Sequence, residues 1–480
     1  MPQSIKTNYI FSLLNTLTQM LFPLLTFPYA CRVVGAEGIG EVDFLSAIVR
    51  YITIFTCLGL PMYGIREVAR VRSDAALMSR TVVEILSLHT LLTLAGYVVV
   101  AALCLFVPQV RAEAPLFLLL STTVLFTTLG AEWFYSGIED FRYITIRGLI
   151  VRVLSLFLLF ILVKGPDDLM AYGFCVIAGT LGGNIFNFLR LRRFISLKGI
   201  HLRQLQLRRH VRPVMQIFSF NIVISLYLQL NPVLLGFLRG PLEVGYFATA
   251  SKIMVMLMQL ATALGTVIMP HASNLVAEGR KEEFFGLLQR SYDFTVATCF
   301  PVSIALMVAA PGIISVFCGE GFEPAIVPSC IIAPIIFIVG LTDVWGIQAL
   351  YPLGHIRLIV IASGVGAAVN LILGFCLAPS LGATGTAIAY LATEAASALA
   401  LFLLGRRHLQ LRFLHREQFD VLLATLLMAV AMWEFTRIAN CSTLGGLVGQ
   451  CAVGATFYTL TMLARKNSLI LSLFSPLRRR

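Results

Sequence analysis

The sequence is poor in charge. Lysine, arginine, aspartate and glutamate make up 12% of its 480 residues, and just 24 residues are acidic. A soluble domain carries about a quarter charged residues, so this composition excludes an ordinary water-soluble globule. The sequence is equally poor in the marks of covalent chemistry. It holds no HExxH, no GxSxG, no phosphate-binding P-loop and no His/Cys cluster with metal-ligand spacing. The ten cysteines are scattered from Cys31 to Cys451 without a CxxC, mostly inside apolar blocks. They read as small buried hydrophobes, not as a disulfide framework or a metal site. Alternating ten-residue strands are absent, which excludes a membrane barrel. The net charge of +12 is not gathered into a basic run interleaved with aromatics on a polar domain, so nucleic acid is set aside. Lys6 is the sole cation near the N-terminus and the first apolar block is long enough to span, so no cleavable signal is expected.

What is abundant is apolar sequence, 58% of the chain. It recurs in continuous blocks of roughly 20 residues, the length a helix needs to cross about 30 Å of hydrocarbon. The blocks predict spans at 8–31, 41–64, 82–107, 114–138, 146–164, 170–190, 214–237, 244–270, 292–318, 326–350, 357–378, 382–404, 419–437 and 445–464. The expected fold is an all-α integral membrane protein of about fourteen transmembrane helices. With the N-terminus inside, 28 of the 36 lysines and arginines fall in inner connections, five in outer ones and three within spans. That bias places both termini in the cytoplasm. The expected division is an N-terminal lobe at 1–190, a basic cytoplasmic linker at 191–213, a C-terminal lobe at 214–404, and a helix pair with a basic tail at 405–480. The linker and its approach hold eight cations between Arg190 and Arg212, interleaved with apolar residues. They read either as an amphipathic segment on the anionic lipids of the inner leaflet or as an exposed basic linker.

The two lobes carry traces of one another. Asn15 corresponds to Asn221, Pro28 to Pro232, Gly40 to Gly245, Ser46 to Ser251, Ile48 to Ile253 and Gly59 to Gly265, with offsets of 204 to 206. Six spans separate the copies, so the lobes share one orientation and relate by an axis normal to the membrane. Two such six-helix lobes around a central cavity suit alternating access.

Several stretches then resemble a known family. Pro23-Leu24-Leu25-Thr26-Phe27-Pro28-Tyr29 followed by Arg32 to Gly40 resembles the opening of bacterial polysaccharide-biosynthesis flippases. So do Leu58-Gly59-Leu60 with Tyr63-Gly64-Ile65-Arg66-Glu67, and Glu132-Trp133-Phe134-Tyr135-Ser136-Gly137-Ile138-Glu139. Val244-Gly245-Tyr246-Phe247 with Lys252-Ile253, and Gly382 to Ala387, complete the resemblance in family order. The family is the Wzx-type exporters of O-antigen and related repeat units, within the multidrug, oligosaccharidyl-lipid and polysaccharide exporter superfamily. The resemblance implies a cargo of oligosaccharide on undecaprenyl pyrophosphate, carried from the inner to the outer face of a bacterial inner membrane. It implies no cofactor, and it makes polysaccharide polymerase and glycosyltransferases the expected partners.

An ionisable group at bilayer depth is a functional candidate by default. Arg50 lies ten residues after Gly40 and Lys252 seven after Gly245, so under the repeat they differ by about one helical turn. They are expected to line the cavity and attract a pyrophosphate or acidic sugars; pairing with a carboxylate such as Asp43, or snorkelling outward, is the structural alternative. Asn15 and Asn221, with Gln19, Gln229 and Asn231, offer amides to sugar hydroxyls, or else hold helices together. Glu132 and Arg152 match in depth and are expected to form a structural ion pair. Glu394, mid-span, reads either as a coupling group for protons or sodium or as a paired residue of the second lobe. Three functional classes follow: a lipid-linked oligosaccharide flippase, an ion-coupled multidrug exporter, and a glycan polymerase or ligase. The cationic candidates favour anionic cargo over cationic drugs. Outer connections of about ten residues or fewer leave little room for an external active site, so no enzyme is expected.

Overall fold

In the computed structural model the described residues are 5–196, 205–413 and 415–467; side chains at 5–10, 219–228 and 260–267, and six more between 12 and 21, lie outside the description. Among the described residues every regular element is a helix. The chain divides into two compact units, Met1–Phe237 and Leu238–Arg480, a division that falls after the seventh expected span and not within 191–213.

Among the described residues nine helical stretches are long and apolar enough to cross a membrane. The bent pair Leu169–Leu181 and Gly183–Leu191, turning by 45°, makes a tenth. Two of the nine run for 50 residues, about 75 Å at 1.5 Å per residue. That is more than twice the roughly 30 Å hydrocarbon core. Both are broken at a non-helical glycine, Gly35 and Gly382, the first again at Leu58–Gly59, and each is long enough for two crossings. Two more helices, Arg208–Arg239 and Pro241–Ala277, are 32 and 37 residues long. The elements thus accommodate the fourteen expected spans. Large apolar side chains such as Val98, Phe106 and Phe157 stand exposed on the helices. Exposed apolar side chains in such numbers suit a lipid-facing surface.

The first unit opens with α1 (Ile5–Cys57), α2 (Leu60–Val71) and α3 (Ala75–Phe106). Asp74 caps α3 by accepting from the amides of Ala76 and Leu77 at 2.9 and 3.0 Å. Then follow α4 (Pro108–Ala112), α5 (Ala114–Gly130), α6 (Glu132–Gly137), α7 (Phe141–Leu162), α8 (Leu169–Leu181), α9 (Gly183–Leu191) and α10 (Arg208–Arg239). One buried cluster gathers Leu60, Tyr63 and Val68 of α2, Val82 and Ile85 of α3, and Trp133, Phe134 and Tyr135 of α6. Two of the glycine and aromatic motifs therefore pack against each other. A Cβ on Gly64 would lie 2.5 Å from the Trp133 ring, and one on Gly137 would lie 2.8 Å from Val68. Gly64→Val is expected to overpack this crossing and cost about 1–3 kcal/mol. A lower thermal unfolding midpoint of the purified protein, with Gly64→Ala intermediate, checks it.

The second half of α1 and α10 run antiparallel along a shared seam. Phe44 meets Phe237 with centroids 5.2 Å apart, and Phe55 meets Phe218 at 5.8 Å. Gly236 lets the helices close, since a Cβ there would sit 2.1 Å from Phe44.

The second unit holds α11 (Pro241–Ala277), α12 (Lys281–Phe317), α13 (Ile326–Ile332), α14 (Ile335–Thr342), a π-helical turn at Asp343–Leu350, α15 (Ile356–Gly405), α16 (Arg416–Ile438) and α17 (Leu444–Ala464). It begins as the first unit does. Gly35 has φ 77° and ψ 175°, and Gly240, at offset 205, has φ 88° and ψ 179°. That region of φ suits glycine, which has no Cβ to clash. The repeat read from six identities thus extends to backbone conformation. The copies then diverge: the first unit breaks at Leu58 and Gly59, both with positive φ, whereas α11 continues to Ala277. Further on, the Glu243 carboxylate accepts from the Ala383 amide at 2.7 Å, capping the helical stretch after Gly382. The α16–α17 hairpin is fixed by Arg465 on buried Asp420 at 2.7 Å, and Tyr458 ties it to α12 by donating to the Ala297 carbonyl at 2.6 Å.

Candidate functional site

Along the α1–α10 seam, between the two aromatic contacts, Arg50 donates from Nε to Gln229 Oε1 at 2.6 Å. Its side chain is exposed at the surface of the unit. Arg50 therefore shares its hydrogen bond with a neutral amide, and Gln229 joins it as a residue of the same patch. Lys252 lies half-buried on α11, one residue after Ser251, whose hydroxyl is spent on the Phe247 carbonyl. The Asn221 side chain lies outside the described residues.

The ion pairs of the first unit differ from expectation. Glu132 Oε2 takes Arg147 Nη2 at 3.2 Å, and Arg152 Nη1 donates instead to Asn15 Oδ1 at 3.2 Å. The expected Glu132–Arg152 bond is thus replaced by two others. Ala131, with φ 39°, breaks α5 from α6 and makes Glu132 the first residue of a new helix. Arg147 and Arg152 are five residues apart on α7, about 140° around it, so one carboxylate meets just one of them. Arg152 faces α1 across Gly148, where a Cβ would lie 3.3 Å from its guanidinium. Asn15, expected to face cargo, is engaged by this arginine.

In the second unit Glu394 is buried on the last third of α15, and among the described residues no hydrogen bond or ion pair reaches its carboxylate. Beside it Asn370 Nδ2 donates to Thr393 Oγ1 at 3.0 Å.

Three clusters have no counterpart in the sequence reading. Glu84, fully buried on α3, takes Arg80 at 3.1 Å, Arg209 at 2.6 Å, His210 Nε2 at 2.9 Å and the Gln206 amide at 3.0 Å. His210 Nδ1 faces the Tyr63 hydroxyl at 2.6 Å. Arg209 Nε donates to the same His210 Nε2 at 3.2 Å, so that nitrogen lies between a guanidinium donor and the Glu84 carboxylate. Burial pushes the His210 pKa below its ordinary value, outweighing the pull of Glu84. The far end of the basic linker is therefore fastened to α3. At its near end Phe194 and Ile195 pack on the α2–α6 cluster. In the second unit His415 Nε2 lies 3.6 Å from both Asp293 and Glu417. Asp293 also accepts from Gln289 and Gln418 amides at 2.9 and 3.3 Å, which makes this a knot between α12 and the start of α16. The third cluster surrounds Arg147, Asn187 and Arg190 in the first unit. Sequence offers one signal for these: polar residues at helical spacing in otherwise apolar blocks.

The resemblance read from these motifs has independent support. Residues 5–276 match the family model described as polysaccharide biosynthesis protein. A protein of Escherichia coli strain K12 named "Putative O-antigen transporter" is 24% identical over 82% of this chain and 94% of its own. Among solved structures, the lipid II flippase MurJ in an inward closed conformation superposes with a TM-score of 0.77 at 15% identity, covering 96% of this chain and all of that one. An inward-facing MATE family multidrug resistance transporter of the MOP superfamily gives 0.63 at 13% identity over 82% and 94%. At these identities the two structures establish a shared fold, and the family match, covering more than half of the sequence, establishes kinship: this multi-pass helical membrane protein belongs to the polysaccharide biosynthesis protein family.

Proposed function

We propose that the chain is a flippase that carries an oligosaccharide on undecaprenyl pyrophosphate from the inner to the outer face of a bacterial inner membrane by alternating access. The observation that carries this reading is the similarity to an O-antigen transporter over 82% of the chain. It is joined to a fold shared with a lipid II flippase. Arg50, held by a neutral amide, and Lys252, its counterpart in the repeat, attract the pyrophosphate; Asn221 contributes an amide to the sugars. The cytoplasmic placement of both termini rests on the charge bias. A polymerase and glycosyltransferases are the proposed partners. A deletion strain tests the proposal: complete lipid-linked units are expected to accumulate on the inner face, and to reach the outer face when this chain is restored. Units that reach the outer face without it, and stay unpolymerised, would return a glycan-joining enzyme to first place.

Buried Glu394, in a fold also adopted by a multidrug transporter, favours one second reading: ion-coupled export with this carboxylate as the coupling group. Glu394→Gln removes the ionisable group at constant shape. Transport is expected to fall at least tenfold and to lose its dependence on the ion gradient. Unchanged transport in vesicles under an imposed gradient would end the coupling role, and a gain in drug susceptibility on deletion would favour the multidrug reading over the flippase.

A further inference from the structure

Most buried polar atoms in a folded protein have a hydrogen-bond partner, so a group of them without one asks for a physical account, of which a bound anion is one. The first unit holds such a group at the junction of α6, α7 and α9. Arg147 has a side chain 10% exposed and spends one nitrogen on Glu132. Its buried Nε and Nη1 have no hydrogen-bond partner among the described residues. Asn187 is fully buried, and neither its Nδ2 nor its Oδ1 has a partner.

The two residues are brought together by a stripe on α9. Gly183, Asn187 and Arg190 recur at spacings of four and three, so they share one face of that helix. Arg147 lies over Gly183, where a Cβ would stand 2.7 Å from its Nε. Arg190 closes the other end. Its guanidinium stacks 3.8 Å above the Tyr143 ring and binds Asp140 at 2.9 Å. Tyr143 is one helical turn from Arg147, whose guanidinium carbon lies 5.8 Å from the same ring. Tyr135 pins α9 in place by donating to the Asn187 carbonyl at 2.7 Å. Asn187 therefore stands on the α9 face between Gly183, which lies under Arg147, and Arg190.

We infer that this junction is a binding site for a phosphate ester carrying a neighbouring hydroxyl. Once Glu132 leaves Nη2, the Nη1–Nη2 edge of Arg147 presents two parallel N–H donors to two phosphate oxygens. The Asn187 amide supplies one more donor for the anion and one acceptor for a hydroxyl. The carboxylates nearby are Glu132 and Asp140. Glu132 is 47% exposed, so it is the counter-ion that an incoming phosphate displaces from Arg147. Asp140 remains on Arg190. A sugar phosphate of lipid-linked cargo and a phosphatidylglycerol headgroup both have this chemistry. The first source rests on the flippase reading; the site itself does not.

The test is equilibrium dialysis of radiolabelled glucose 1-phosphate against the full chain in phosphatidylcholine nanodiscs. Saturable binding is expected, weakened at least tenfold by Arg147→Gln and by Asn187→Leu, and held within twofold by Arg193→Gln at the exposed surface. Gly183→Ala keeps every charge and pushes Arg147 aside, so it weakens binding even if Asn187→Leu fails to fold, which size-exclusion chromatography would reveal. Absence of saturable binding by the unaltered chain, or binding indifferent to Arg147→Gln and Gly183→Ala, overturns the site. In nanodiscs containing phosphatidylglycerol, a tenfold loss of glucose 1-phosphate affinity supports the site and assigns it to phospholipid; unchanged affinity supports it and assigns it to cargo. Failure of dialysis leaves the deletion-strain assay untouched, and normal flipping in that strain with intact dialysis removes the flippase reading alone.

Discussion

Reversing the charge of both Arg50 and Lys252, as Arg50→Glu with Lys252→Glu, is expected to cut export at least a hundredfold while leaving the protein folded. The folding half of the prediction follows from the α1–α10 seam. Arg50 is bonded to the neutral amide of Gln229, and a glutamate there takes a hydrogen bond from the same amide. The aromatic contacts on either side, Phe44–Phe237 and Phe55–Phe218, are untouched. The functional half follows from Coulomb's law. Two unit charges at about 4 Å interact by about 4 kcal/mol at an effective dielectric of 20. Each reversal turns an attraction of that order into a repulsion, and each 1.4 kcal/mol is about tenfold in an equilibrium constant. Charge-conserving Arg50→Lys with Lys252→Arg is expected to retain most export. The sidedness of lipid-linked units, measured in a deletion strain carrying each variant at matched expression, reads both. Normal export by the double reversal would end the cationic cavity proposal and leave the flippase assignment to stand on family membership alone.

How far the sequence carries depends on what kind of information each feature needs. The helical class and the presence of membrane-length apolar helices depend on composition and runs, which are local, and the structure agrees. The repeat was legible in six identities at offsets of 204 to 206. Gly35 and Gly240, alike in backbone at offset 205, were available in the same alignment. They carry a conformation that residue identity alone does not announce. The pairing of charges was not legible. Glu132 and Arg152 match in depth, but depth along a helix says nothing about azimuth, and azimuth sends Glu132 to Arg147 and Arg152 to Asn15. The basic linker shows the same limit. Its cations were read as facing lipid or water, yet Arg190 is stacked on Tyr143 and Arg209 is bound to Glu84. Glu84 and Gln206 are 122 residues apart in sequence, and no periodicity links them.

That last contact yields the second large effect. Glu84→Leu is expected to cost about 3–5 kcal/mol, the range for removing one partner of a buried ion pair. The lower end is the better expectation, because the penalty is unequal among the four partners it strands. Arg80 and Arg209 are 42% and 39% exposed, so their charges return to solvent. His210 is 2% exposed and has no such route. The Gln206 amide loses its acceptor as well. Glu84→Gln separates charge from shape. Its carbonyl still serves the Gln206 amide, but its NH2 turns a donor toward groups that are themselves donors. Its loss should therefore approach that of the leucine variant, not the unaltered chain. Thermal unfolding of the purified protein measures the cost. Hydrogen exchange at residues 205–210 locates it, since the linker's far end is fastened through Glu84 and should open faster than the rest of the first unit. Stability and exchange both unchanged in Glu84→Leu would mean that packing at Val214 and Leu191 holds the linker. The buried carboxylate would then add specificity of placement and little free energy.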